Sequence, residues 1–434
     1  MGRAKEYRQR LKYQVASAEK KTLENMLAAQ FKAELGLSEV EARLLSRRVS
    51  SWVIAQPDLR GPNQIYLEAS NGRDTFARRL HVAKKVMLTP YATEDLELEF
   101  EFGLAVMQLG RILRLIEEAY EQDALLSGKQ LTLLCHITPT SLRGRLKKVR
   151  EEGLWAPLMG LSRADRQRGG QFRSTLILKA YLTQKESLVE IRRKFAVSRS
   201  RFSDLLSRFG RITKAHSEDY FNPAGPEEAQ WADLISSMPQ EKRALLLEQA
   251  ATLQGRDGHD AFWAELKTDF ALSPVKLRAI RETVEEILAA LSQERSGGDI
   301  VYWAVADREP AGKPLEACRL VPLNLTLYDP ADMPPHDLNR DLNRLSEIKF
   351  KKVLRLSTQA KKGGGYLTYA DLSYLLGLHP EAISRLVRAN PTVVIPLRGS
   401  ECDIGRGVTH RQKIIRLYLE MHTETEIAAR SGHS

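Results

Sequence analysis

Apolar residues recur at the three-to-four spacing of a one-sided helix through residues 103–121 and again through 341–357, which predicts a long amphipathic helix in each stretch. Elsewhere the period shortens towards two. IYLEA (from Ile65) with VAKKVMLT (from Val82), and IVYWAV (from Ile300) with RLVPLNLTLY (from Arg319), predict a small antiparallel sheet or hairpin in each half. The turn FNPAGPEE (from Phe221) separates the halves, followed by short helical patterns at 226–237 and 239–254. Helix formers dominate and aromatics are only 7% of the chain, so the expected fold is mainly α with small antiparallel β elements.

These patterns repeat in one order. QFKAELGLSEVEARLLSRRVSSWV (from Gln30) faces ELKTDFALSPVKLRAIRETVEEIL (from Glu265), and STLILKAYL (from Ser174) faces RQKIIRLYL (from Arg411). The offset stays at about 235–241 residues throughout, a register that chance matches do not keep. The expected organisation is a basic segment 1–22, copy one at 23–213, a helical connector 214–259 and copy two at 260–434.

Three windows carry the pattern of a helix-turn-helix: apolar residues at fixed places on two short helices, and a small residue or a cap at the tight turn. In YADLSYLLGLHPEAISRLVR the apolar places are Leu372, Leu376, Leu378, Ile383 and Leu386, Gly377 is the turn, and His379-Pro380 opens the second helix. The cognate window in copy one has Leu131, Cys135, Ile137 and Leu142, with His136 at the turn and Thr138-Pro139 at the second start; Arg145 takes the last apolar place and Leu146 covers for it. In SLVEIRRKFAVSRSRFSDLLSRF the core is Ile191, Phe195, Val197, Phe202 and Leu205, while Arg192 takes a place usually held by a small residue. Two further windows, around Gly36-Leu37-Ser38 and Ala271-Leu272-Ser273, read equally as plain helical hairpins. A last window, TETEIAARSGHS, reaches Ser434 where the cap Ser198 aligns, so copy two is expected to be C-terminally truncated, without its last second helix. PTVVIPLRG (from Pro391) is placed as a wing strand would be, which makes the unit winged-helix-like, and DIGRG and RQRGG supply basic loop tips.

Charge sharpens this picture. The chain carries a net +11, and residues 111–214 hold 22 Lys/Arg against 10 Asp/Glu. A one-signed surplus on second helices suits a polyanion, because neutralised phosphates release counterions. The residues expected to meet double-stranded DNA are Thr140, Arg143, Arg145, Lys147 and Lys148 on the first such helix, Arg199, Ser200, Arg201 and Ser203 on the second, and Glu381, Arg385 and Arg388 on the third. The acidic run EDLELEFEFG (from Glu94) reads as a helix start or a solvated face.

Other chemistry is not expected. The three cysteines are far apart and form neither a disulfide framework nor a zinc site, which fits a reducing compartment such as the cytoplasm, with association to the nucleoid. No GxxxxGK[ST], GxGxxG or HExxH motif occurs, so no catalytic residues, cofactor or metal are expected. No apolar run approaches the length of a membrane span, and the basic N-terminus has no apolar stretch of the kind a signal peptide needs.

EAYEQDALLSGKQLTLL, REPAGKPLEACRLVPLNLTLYDPAD and IPLRGSECDIGRGVTHRQKIIRLYLEMHTETEIAARSGHS resemble the prokaryotic helix-turn-helix family called domain of unknown function 1670, most closely over 298–434 and more weakly in copy one. The resemblance implies a helix-turn-helix fold without an assigned activity, and family members that continue past the point matching Ser434 with a further helical stretch. The expectation is a DNA-binding protein, a transcriptional regulator or mobile-element factor, with self-association open. Two other readings stand beside it: a transposase- or recombinase-like enzyme, and a protein-interaction scaffold whose windows only pack.

Overall fold

The computed structural model describes residues 21–54, 60–71, 83–151, 153–154, 171–183, 186–217, 223, 226–240, 243, 259–292, 294–310, 313, 315, 318–332, 342–401 and 411–431. Copy one runs α1 (Leu23–Leu35), α2 (Glu39–Ile54), β1 (Ile65–Asn71), β2 (Ala83–Leu88), α3 (Thr93–Phe102), α4 (Leu104–Glu121), β3 (Ala124–Leu125), α5 (Gly128–Cys135), α6 (Pro139–Glu151), α7 (Arg173–Thr183), α8 (Leu188–Lys194) and α9 (Arg199–Ser217). Helix α10 (Pro226–Ser236) follows. Copy two runs α11 (His259–Asp269), α12 (Pro274–Ser292), β4 (Asp299–Ala306), β5 (Leu320–Thr326), α13 (Leu342–Lys362), β6 (Gly365–Tyr366), α14 (Tyr369–Leu376), α15 (Pro380–Ala389), α16 (Arg398–Glu401), α17 (Arg411–Leu419) and α18 (Glu424–Ser431). The chain is mainly helical, and its two copies each carry one antiparallel three-stranded sheet.

The two sheets have the same topology, β2-β1-β3 and β5-β4-β6. Strand β1 pairs with β2 from Ile65↔Leu88 to Ser70↔Ala83, and its far end takes β3 through Ser70↔Leu125. Strand β4 pairs with β5 from Asp299↔Thr326 to Val305↔Leu320, and its end takes β6 through Val305↔Tyr366. The long helix of each copy locks onto its sheet with a glutamine. Gln122 accepts from the Met87 amide at 2.9 Å and donates to the Met87 carbonyl at 2.7 Å, and Gln359 accepts from the Thr326 amide at 2.9 Å.

The copies join through reciprocal contacts. The Tyr66 amide donates to the Gly297 carbonyl at 2.7 Å, and the Val301 amide donates to the Pro62 carbonyl at 2.8 Å. Arg60 donates to the carbonyls of Ser296 and Gly297, while Arg295 donates to those of Arg60 and Gly61. Each turn is closed alike: Gln64 Oε1 accepts from the Gly61 amide, and Asp299 Oδ2 from the Ser296 amide. Contacts in which i meets j and the equivalent of j meets the equivalent of i mark an isologous junction, so this single chain has the symmetry of a dimer.

One core runs through that junction. It holds Ile65, Leu67, Val86 and Leu88 with Ile112, Leu131 and Leu142 from copy one, and Ile300, Leu323, Leu325, Val353, Leu372 and Ile383 from copy two. A second core joins α1 and α2 to α11 and α12 through Leu27, Phe31, Leu45, Val49, Trp263, Leu266, Ile280 and Val284. The windows around Gly36 and Ala271 are therefore helical hairpins packed into this core on one face, with their turns exposed.

Candidate nucleic-acid interface

Each copy presents a pair of short helices, α5–α6 and α14–α15, which its sequence places with some economy. Helix α5 starts at a capping box in which Ser127 and Gln130 serve each other's backbone amides, and α14 starts at the same device built from Thr368 and Asp371. Both end on a left-handed residue, His136 at φ 53° and Gly377 at φ 61°. The Ser373 hydroxyl donates across the turn to the Leu378 carbonyl at 2.5 Å, which explains a small polar residue inside the pair. Helices α6 and α15 then open on Pro139 and Pro380, with Thr138 and the His379 ring accepting first-turn amides.

The first helices are buried in the junction and hold it. Arg111 on α4 donates to Asp95 at 2.7 Å and to the Tyr374 carbonyl of α14 at 2.6 Å. Lys352 occupies the equivalent place on α13 and donates to the Leu133 carbonyl of α5 at 3.3 Å and to His136 Nε2 at 3.2 Å. Burial, with Lys352 and Lys349 nearby, depresses the His136 pKa well below its ordinary value, so the ring is neutral and able to accept. Lys352 is itself pushed down to about 8 by burial, against the pull of Asp332. Asp371 is clamped by Lys21 at 2.7 Å and by the Tyr302 hydroxyl at 2.7 Å.

The second helices turn outward. On α6, Leu142, Leu146 and Val149 face the core while Thr140, Arg143, Lys147, Lys148 and Arg150 are exposed. On α15, Ile383 and Val387 face inward, with Glu381, Arg385 and Arg388 exposed. Arg388 donates to Ser384 Oγ at 2.9 Å, and Lys147 pairs with Glu151 one turn on at 3.8 Å. Arg145 departs from the expectation: half-buried, it donates to the Ala105 carbonyl at 2.6 Å and to Gln108 Oε1 at 2.7 Å, tying α6 to α4. A cleft of about 880 Å³ opens behind it, between α4, α6 and α8.

The third expected surface, on α9, is a docked one. Glu97 of α3 accepts from the Arg199 amide at 2.5 Å and from the Ser200 hydroxyl at 3.2 Å, so a carboxylate already caps the end that a phosphate would use. Arg201 pairs with Glu94 and Glu117, both at 3.1 Å. Burial alone would raise Glu94, but Arg114 and Arg201 outweigh it and hold the carboxyl at about 2. The Arg192 that fills a small-residue place is buried against Glu97 and Glu101, at 3.1 and 2.6 Å. Ser200 and Arg201 thus make contacts to α3 and α4 within copy one, while the Arg199, Ser200 and Ser203 side chains stay exposed. The acidic run is a helix start, as one expectation had it, with Glu94 and Asp95 in the first turn of α3, and it is no solvated face, since Asp95 and Glu99 are buried.

One further expectation comes out differently. Residues 391–397 form no wing strand; Leu397 makes an isolated parallel bridge to Leu367. The glycine-flanked tips RQRGG and DIGRG lie outside the described residues. Among the described residues no group of His, Cys, Asp and Glu could hold a metal ion, and no helix is long and apolar enough to cross a membrane. Sequence reasoning missed Glu94, Glu97, Glu101, Arg60 and Arg295. The signal for the glutamates was Arg192 itself, because a buried guanidinium demands carboxylates from elsewhere.

A family model described as "Protein of unknown function (DUF1670)" matches residues 56–223 and, a second time, residues 266–434. No curated protein and no solved structure matches the chain.

Proposed function

The chain belongs to the DUF1670 protein family and carries the family's unit twice, and from that premise we propose that it binds double-stranded DNA as an intramolecular dimer, reading one half-site with α6 and the other with α15. The observation that carries the reading is the division of labour within each pair. The first helix is held rigidly in a reciprocal junction, and the second presents Arg143, Lys147, Lys148 and Arg150, or Arg385 and Arg388, to solvent. Positioning by a fixed partner helix and cationic presentation by an outward one are what major-groove docking requires. The two-fold relation of the pairs makes an imperfect inverted repeat the fitting target, because half-sites mirror the symmetry of the reader. A role as transcriptional regulator or mobile-element factor accords with such a reader.

Mobility shifts with an inverted-repeat library test this. Binding should weaken steeply with salt, with a slope of about −0.9 per phosphate neutralised. Arg385→Ala should relax selection at its half-site at a cost of about 1–3 kcal/mol. Salt-insensitive binding, or none, would remove the proposal.

A second reading is favoured for α9 alone. Its N-terminal turn packs on α3, so that window works as a structural module rather than as a third reader.

A further inference from the structure

Helix α6 carries a glycine near its centre, where alanine favours the helix more. Gly144 is exposed, and a Cβ built on it meets nothing within 4 Å, so no close packing requires it. It lies on the wall of the cleft of about 880 Å³ between α4, α6 and α8, a volume that suits a small molecule. Val106 and Leu109 of α4 and Val149 of α6 give the cleft apolar surface, and Arg145, Lys148 and Arg193 give it positive charge. Among the described residues no carboxylate pairs with these cations. The carboxylates on the wall are engaged: Glu186 pairs with Lys194 at 3.0 Å, and Glu190 accepts from the Ser187 amide at 2.9 Å. Arg145 is half-buried, yet its partners, the Ala105 carbonyl and Gln108, are neutral, and its buried Nε has no acceptor. Burial accordingly lowers its pKa. A partly desolvated cation without a counter-ion favours an anion nearby.

The repeat unit does not require this surface. Where copy one has Ala105, Val106 and Arg145, copy two has Ser346, Glu347 and Leu386, so the apolar stretch gains an acid and the cation is lost. Glu347 pairs in solvent with Lys351 at 2.7 Å. We propose that the copy-one cleft binds a small organic acid with an apolar body. Its anionic group lies among Arg145, Lys148 and Arg193, and its body lies against Val106, Leu109 and Val149. The site stands whether or not α6 reads DNA.

The test titrates the whole chain with anilinonaphthalene sulfonate, an aromatic anion whose fluorescence rises in apolar surroundings, and then displaces it with decanoate. Saturable binding should appear that Val106→Glu and Gly144→Glu each weaken by about tenfold or more. Arg193→Gln should weaken it several-fold. Phenylnaphthylamine, the same ring system without the sulfonate, should bind about tenfold more weakly or worse. Glutamate is a better helix former than glycine and meets open space at position 144, so the circular dichroism melt of Gly144→Glu should not fall and its loss of binding is not a loss of fold. Absence of saturable binding overturns the proposal, as does probe that decanoate does not displace. So does binding that survives Gly144→Glu, that the neutral probe matches, or that is abolished by Tyr418→Ser on the exposed surface of α17, because the probe would then sit elsewhere.

Discussion

Arg111 and Lys352 hold equivalent places on the two long helices, and each reaches into the short-helix pair of the other copy, to the Tyr374 and Leu133 carbonyls at 2.6 and 3.3 Å. The turn residues opposite them differ accordingly. A Cβ on Gly377 would lie 2.7 Å from the Arg111 guanidinium, so the bulkier cation faces glycine. The shorter-headed lysine faces His136, whose neutral ring accepts a hydrogen bond from it. The duplicated junction has diverged as a matched set: a large cation with no side chain opposite, and a smaller cation with an acceptor opposite.

Gly377→Ala should therefore destabilise the chain by more than the strain of a left-handed alanine alone, about 1–2 kcal/mol, because Arg111 must also move. The Arg111→Ala, Gly377→Ala double variant should show coupling when melts of all four proteins are compared. Strict additivity would mean that the two do not share space.

Removing Arg111 alone should cost about 3 kcal/mol, since it leaves Asp95 and the Tyr374 carbonyl buried with fewer donors. Arg114 still donates to Asp95, at 2.8 and 3.0 Å, which sets the loss below that of a fully orphaned carboxylate. Denaturant melts of Arg111→Ala measure it.

Lys352 confers a pH dependence of definite sign. Its pKa is about 8 when folded, against an ordinary 10.5, so the unfolded chain binds the extra proton between those values. Stability should rise as pH increases from about 8 to 10.5, and the cost of burying the cation is fully present below 8. Lys352→Met should flatten that rise. Retention of the slope in the variant would move its cause elsewhere.

Glu97→Gln should loosen α8 and α9 without touching α6 or α15. Among the described residues the buried Arg192 then keeps Glu101 as its charged partner, and the Arg199 amide loses a carboxylate cap. A local loss of about 1–3 kcal/mol is expected, read as faster amide exchange across residues 188–217. Affinity for an inverted-repeat duplex should not fall. A fall would make the α3–α9 contact part of the DNA-reading surface.

Arg143→Ala with Lys147→Ala should lower the salt slope by about 2, one for each phosphate contact removed. Arg145→Ala should act differently. Its guanidinium ties α6 to α4, so its loss should reduce stability and affinity together.

The amino-acid sequence by itself determined the elements, the duplication and the inner faces of the short-helix pairs. Helical and strand periods, caps such as Ser127 and Thr368, and turn residues such as Gly377 act over a few positions, and one chain states them in full. What each outward residue touches was decided only by the tertiary structure. Arg143 and Arg201 both lie on second helices, and local pattern does not tell them apart; the first side chain is exposed, and the second is half-buried against Glu94 and Glu117, roughly a hundred residues away in sequence. The shared core and the reciprocal junction have the same origin. Neither copy's apolar sheet face states its partner, and burial of that face is won by whichever surface the folded chain brings against it.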